Sequence, residues 1–266
     1  MRYVHLFYHA GRQWVSRDMS YFAAAFSYYA PLALVPLVLL SLIVSGFFYG
    51  GDFVKNIFLG WGTVLGNDLL ALIDIAVQNL DIEIQAYSIP LLAVIFFSSV
   101  SIFAFNVLGS GFERVWGSHR AGLRSWLSQS LRSVLFVIIL QAYLILIIAA
   151  EGFLAWFKVR ELPFLPEFIW FLSISLLFIL LFKFLAKPAP SWRGCVFGGF
   201  SAGLLFIFTN NLVAIYLATK PVLSIFGAAG LLLVLLVWVY ILACVIFYGA
   251  ALSHMYDRMI NNQSSL

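Results

Sequence analysis

At 266 residues, 64% hydrophobic and 10% charged with a net charge of +4, the chain excludes a water-soluble fold, where charged residues fill about a quarter of the positions. A bilayer must be its solvent, and inside a bilayer backbone N–H and C=O groups can bond only to one another, which leaves helices or closed barrels as spanning elements. The apolar runs far exceed the roughly ten alternating residues of a barrel strand, so the expected class is all-α, a polytopic membrane helix bundle.

Taken in chain order, the N-terminal stretch carries Arg2, Arg12 and Arg17 but no short apolar run followed by a small-residue cleavage site, so no removable signal peptide is expected. Six runs, at 20–49, 88–109, 132–157, 167–186, 195–218 and 226–253, reach the ~20 residues that cross a hydrocarbon core about 30 Å thick. Between the first two, residues 50–87 are too polar to span. Within them Leu69, Leu72, Ile73, Ala76 and Leu80 recur at helical spacing with Asp74, Gln78 and Asp81 facing away, which predicts an extracytoplasmic amphipathic helical segment. No Pro-, Gly- or Ser-rich linker divides the chain, so residues 1–266 read as a single transmembrane domain. Cys195 and Cys244 fall inside spans, where they read as small buried hydrophobes and not as a disulfide.

Basic residues give the bundle a direction. Eleven (Arg2, Arg12, Arg17, Arg114, Arg120, Arg124, Arg132, Lys183, Lys187, Arg193 and Arg258) fall on one side and four (Lys55, Lys158, Arg160 and Lys220) on the other. The positive-inside rule then places both termini and the 110–131 and 187–194 loops in the cytoplasm of a multi-pass protein of the bacterial inner membrane.

Polar groups inside the spans are the candidates for function. Pro31 and Pro36 each remove a helical donor and crowd the carbonyl four residues earlier, predicting a kink or break in the first span. Ser27, Tyr28 and Tyr29 lie just before it, about 15 Å deep at helical rise. Freed carbonyls and hydroxyls at that depth suit a substrate site in a broken helix, or a structural kink satisfied by neighbouring helices. Gln141 lies about 14 Å into the third span, able to bind a substrate or to tie helices together. Glu151 falls near the outer interface and reads as an interfacial carboxylate. Thr209, Asn210 and Asn211 cluster toward the outer side of the fifth span, and at least one is expected to line a cavity. Gly194, Gly198, Gly199 and Gly203 form two overlapping pairs at spacing four that allow close helix approach, within one bundle or between protomers. Arg120, Arg124 and Arg132 would share a face if their helix extends into the loop, offering contact to anionic lipid or a topology anchor. His5 and His9 stand one turn apart without a visible third ligand, so no metal is expected. No cofactor motif, phosphate loop or metalloprotease helix is present in the sequence, and the chain does not read as an enzyme.

Several segments together resemble the YihY/BrkB family of bacterial inner-membrane proteins, once labelled ribonuclease BN: AAAFSYYAPLALVPLVL at 23–39, FERVWG at 112–117, KPAPSWRG at 187–194, GGFSAG at 198–203, SIFGAAGLLLVLLVWVYI at 224–241 and YGAALSHM at 248–255. The chain departs from that family's pattern with Phe112 and Glu113 before Arg114, and with Ala251 after Gly249 and Ala250. The resemblance implies a six-span inner-membrane protein whose biochemical activity is not settled. A transporter-like protein moving or flipping a lipid or small amphipathic solute is the first expectation, with membrane lipids as partners and no nucleic acid. A non-transporting scaffold or envelope-integrity factor is the second. Ribonuclease activity comes last, because cytoplasmic loops offering mostly arginine lack the carboxylates and acid/base groups such chemistry needs.

Overall fold

The computed structural model of the chain describes residues 2–49, 88–117, 122–156, 165–219 and 222–263. Among them are seven α-helices and no strands: α1 (Arg2–Ser16), α2 (Met19–Tyr49), α3 (Ser88–Trp116), α4 (Leu123–Trp156), α5 (Leu165–Leu185), α6 (Trp192–Thr219) and α7 (Val222–Gln263). Four stretches, Leu123–Ala150, Glu167–Leu185, Trp192–Val213 and Leu233–Ile260, are long and apolar enough to cross a membrane. The remaining expected spans, 20–49 and 88–109, fall on α2 and α3. The expected external segment 50–87 lies outside the described residues.

Helices adjacent in sequence are adjacent in space from α2 through α7, and α7 closes the ring by packing on α2 and α3. From α3 onward the connections are short, which makes antiparallel neighbours, the up-and-down arrangement of helix bundles. One end of the bundle therefore gathers α1, the α3–α4 and α5–α6 connections and the C-terminal part of α7. Arg17 Nη1 donates to Arg114 O (3.0 Å) and Gln13 Nε2 to Val115 O (2.6 Å). Both reach carbonyls in the last turn of α3, where helical donors run out; Arg114 O accepts from Gly117 N as well. Arg132 Nη1 donates to Ala186 O (2.9 Å) just past α5. The clustered arginines thus hold helix C-termini, where the dipole favours a cation.

α1 is an element the apolar runs do not announce. Leu6 and Ala10, one turn apart, are buried with Gln13, while His5, Tyr8, His9 and Arg12 are exposed. This narrow apolar stripe packs on α7, where Tyr248 Oη donates to Phe7 O at 3.1 Å. A turn at Arg17–Asp18, with Asp18 at φ 54°, separates α1 from α2; aspartate is among the few non-glycine residues that enter this region readily.

In lipid, apolar side chains gain little by leaving the solvent, so packing and small residues hold helices together. Phe112, Phe182 and Phe247, from α3, α5 and α7, are fully buried, with Phe112 5.7 Å edge-on to each of the other two rings. The glycines of α6 divide by direction. Gly194 and Gly198 face α7, and a methyl at Gly198 would sit 2.7 Å from Gly249 O; Gly199 and Gly203 face Ser175 and Ile179 of α5. The two expected pairs therefore both pack within one bundle, each serving a different neighbour.

Candidate functional site

The expected path residues are spread over three helices. α2 stays helical through Pro31 and Pro36, so the expected break does not form. Ser101 of α3, fully buried, donates to Ala33 O at 3.3 Å, a tie from a neighbouring helix one residue beyond Leu32, whose carbonyl Pro36 leaves without a donor. Ser27 Oγ donates back to Ala24 O at 2.8 Å. Tyr28 is 62% exposed on the outside of the bundle, edge-on to the half-buried Tyr29 at 5.3 Å. Pro31 is half-buried, and the side chain of Pro36 lies outside the described residues. Gln141 is half-buried on α4, which packs on α2.

The polar cluster of α6 is engaged locally. Thr209 Oγ1 donates to Leu205 O (2.8 Å) and Phe206 O (3.0 Å), and Asn211 Nδ2 to Ile207 O (3.0 Å). Asn210 Oδ1 accepts from Trp238 Nε1 of α7 at 3.2 Å. Thr209 and Asn210 do line a hollow, a crevice of about 10 Å³, with room for about one water at most. Of the arginines expected to meet lipid, Arg124 is exposed, Arg132 is half-buried and bonded to α5, and Arg120 lies outside the described residues.

A polar seam between α3 and α4 was not legible as a unit in the sequence. Ser133 Oγ donates to Asn106 Oδ1 (2.7 Å) and Asn106 Nδ2 to Ser130 Oγ (3.3 Å). Gln129, only 6% exposed, fills the notch left by Gly109, and buried Glu113 stands one turn further along α3. Asn106, Gly109 and Glu113 share a helix face by their spacing. The bonds of Asn106 to Ser130 and Ser133 are the interhelical ties expected of small and amide residues in a bundle core.

The larger hollow is a groove of about 640 Å³ in the outer wall of α6, lined by Phe171 of α5, Trp192, Arg193, Val196, Phe197, Phe200, Ser201 and Leu204 of α6, and Tyr256 of α7. None of the expected path residues lines it. Its volume lies within the ~300–1,000 Å³ of small-molecule sites. Val196, Phe200 and Leu204 recur every four residues along its floor and are exposed to the side, so the groove opens laterally.

Its mouth is built by the 187–194 segment. Ser191 caps α6: its Oγ accepts from Gly194 N (3.0 Å), its own N donates to Asp257 Oδ2 (2.8 Å), and its hydroxyl donates to Asp257 Oδ1. Lys183 Nζ donates to Pro190 O (2.9 Å) and lies 4.8 Å over the Trp192 ring. Phe197 and Tyr256 stack at 4.6 Å and form one flank. The signal that could have found this site was the i, i+4 series from Trp192 to Leu204 beginning beside an arginine; read alone, it is the lipid-facing stripe of any span.

Comparison with known proteins agrees with this architecture. A UPF0761 membrane protein of Chlorobium phaeobacteroides is 24% identical over 246 residues, covering 86% of this chain and 52% of that protein. A UPF0761 membrane protein of Idiomarina loihiensis is 26% identical over 104 residues, covering 39% of this chain and 33% of its own length. The chain thus spans about half the length, or less, of these relatives. No solved structure matches it. The family model described as Virulence factor BrkB matches residues 10–266, and with an all-helical bundle of membrane-spanning length around it, the chain belongs to that family of multi-pass membrane proteins.

Proposed function

We propose that the chain is a six-span protein of the bacterial inner membrane, termini in the cytoplasm, that moves or flips a lipid or small amphipathic solute. The observation that supports this reading is the lateral groove on α6, an apolar trough open to the side with a cation at one end, the shape and polarity of an amphiphile. The site shifts accordingly from the mid-membrane residues of α2, α4 and α6 to the outer wall of α6. Purified protein in liposomes containing a fluorescent phospholipid is the test. Lipid redistribution between leaflets should exceed that of protein-free vesicles, and Val196→Trp, which fills the trough from a position already facing lipid, should slow it at least tenfold while the helical circular dichroism is unchanged. Redistribution no faster than in empty vesicles sinks the transport reading.

The bond from Trp238 of α7 to Asn210 of α6 favours a second reading, a non-transporting scaffold or envelope-integrity factor in which such polar groups only bind helices together. It predicts vesicles that remain sealed and lipids that stay in place. We place a ribonuclease last.

A further inference from the structure

We infer that the groove on α6 holds a single anionic phospholipid, its phosphate on Arg193 and one acyl chain along Val196, Phe200 and Leu204. The inference rests on the reading of this groove as the amphiphile site and adds the headgroup charge and the leaflet.

Depth decides the leaflet. Arg193 and Leu204, at the two ends of the groove, lie about 16 Å apart at helical rise, close to half of a hydrocarbon core about 30 Å thick. A trough of that length matches one acyl chain from a single leaflet. Its Arg193 end is the end of the bundle that carries α1 and the bonded arginines, so the lipid comes from the leaflet on that side.

Charge decides the headgroup. Arg193 is exposed, and among the described residues no carboxylate lies within ion-pair distance of it, the one such pair being Arg114–Asp18. From α5, Lys183 adds a second cation, which holds Pro190 O through one of its three donors. From α7 comes one acid, Asp257, whose two oxygens are turned to Ser191. The mouth therefore presents a cationic excess, with guanidinium geometry suited to a phosphate. Trp192, 58% exposed, and Tyr256 supply the amphipathic rings that settle at headgroup level. A second copy of the chain would seat apolar side chains against the floor but leave the cations of the mouth without an anion, whereas an anionic phospholipid fills both.

The test is native mass spectrometry of the full chain released from nanodiscs of equal parts phosphatidylglycerol and phosphatidylcholine. The wild type should retain one phosphatidylglycerol in preference to phosphatidylcholine. Arg193→Gln should reduce that preference about fivefold, the factor for one interfacial cation, and Arg193→Lys should keep most of it. Val196→Trp should lose both lipids, and Arg12→Gln, on exposed α1, should change nothing. Equal retention of the two lipids by the wild type, a preference untouched by both Arg193→Gln and Val196→Trp, or a dimer mass that Val196→Trp abolishes in place of bound lipid would each overturn the proposal. Selective retention without lipid redistribution in liposomes would sink the transport reading and leave this one standing; redistribution without selective retention would do the reverse.

Discussion

Glycine residues in this bundle look alike in sequence and differ sharply in their surroundings. A methyl at Gly198 meets Gly249 O at 2.7 Å, a backbone atom that cannot rotate away, whereas one at Gly11 meets only the edge of Tyr248 at 3.8 Å. Gly198→Ala should therefore destabilise the protein by about 1–3 kcal/mol, the range for overpacking a tight contact. Gly11→Ala should leave stability unchanged or raise it by up to about 1 kcal/mol, through helix propensity. Thermal unfolding of the two variants in the same detergent checks both signs, and a Gly198→Ala protein as stable as wild type would contradict the packing described. At this scale the sequence was legible in part. Spacing alone showed that Gly194 to Gly203 could admit close neighbours. That the two pairs serve α7 and α5 separately follows from where α6 sits in the ring, which no local pattern contains.

Elements were read best where polarity is extreme. The long apolar runs became α2 to α7, with α3, α4 and α7 extending past the hydrocarbon into polar sequence, because a helix bonded to itself gains nothing by stopping at the interface. α1 was missed, its buried stripe of Leu6, Ala10 and Gln13 being too narrow and too polar to stand out among arginines and histidines. The junction of α6 with α7 rests on a residue pair far apart in sequence. Removing the carboxylate in Asp257→Ala leaves Ser191 N to water and should cost about 0.5–1.5 kcal/mol. Ser191→Ala should cost about 1 kcal/mol as a lost cap. Because the two share one network, the double variant should be less destabilised than the sum, and strict additivity in a denaturation cycle would show that the contacts are independent.

For the molecule as a whole, run length marked out the helices, and the uneven distribution of basic residues predicts their direction across the membrane. The ties at one end, from Gln13 and Arg17 to α3 and from Arg132 to the end of α5, put the arginines where that distribution placed them. If that end is cytoplasmic, a green fluorescent protein fused after Leu266 should fluoresce and a periplasmic phosphatase fused there should be inactive; the opposite pair of results would invert the bundle. The groove escaped sequence reading for a different reason. Each of its walls is an ordinary lipid-facing surface, and only the relative height of three neighbouring helices turns them into a trough.

That relative height traces back to missing side chains. With Gly198 against α7 and Gly199 against α5, α6 approaches both neighbours closely at the level of the groove, while Val196, Phe200 and Leu204 are left on the outward face. The same glycines that join the wall also recess it, so they act as a depth gauge: every methyl added on those flanks lifts α6 toward the membrane and makes the trough shallower. Tightness of the bundle and capacity of its outer surface are in this protein one quantity, and selection for either would be felt as selection for both.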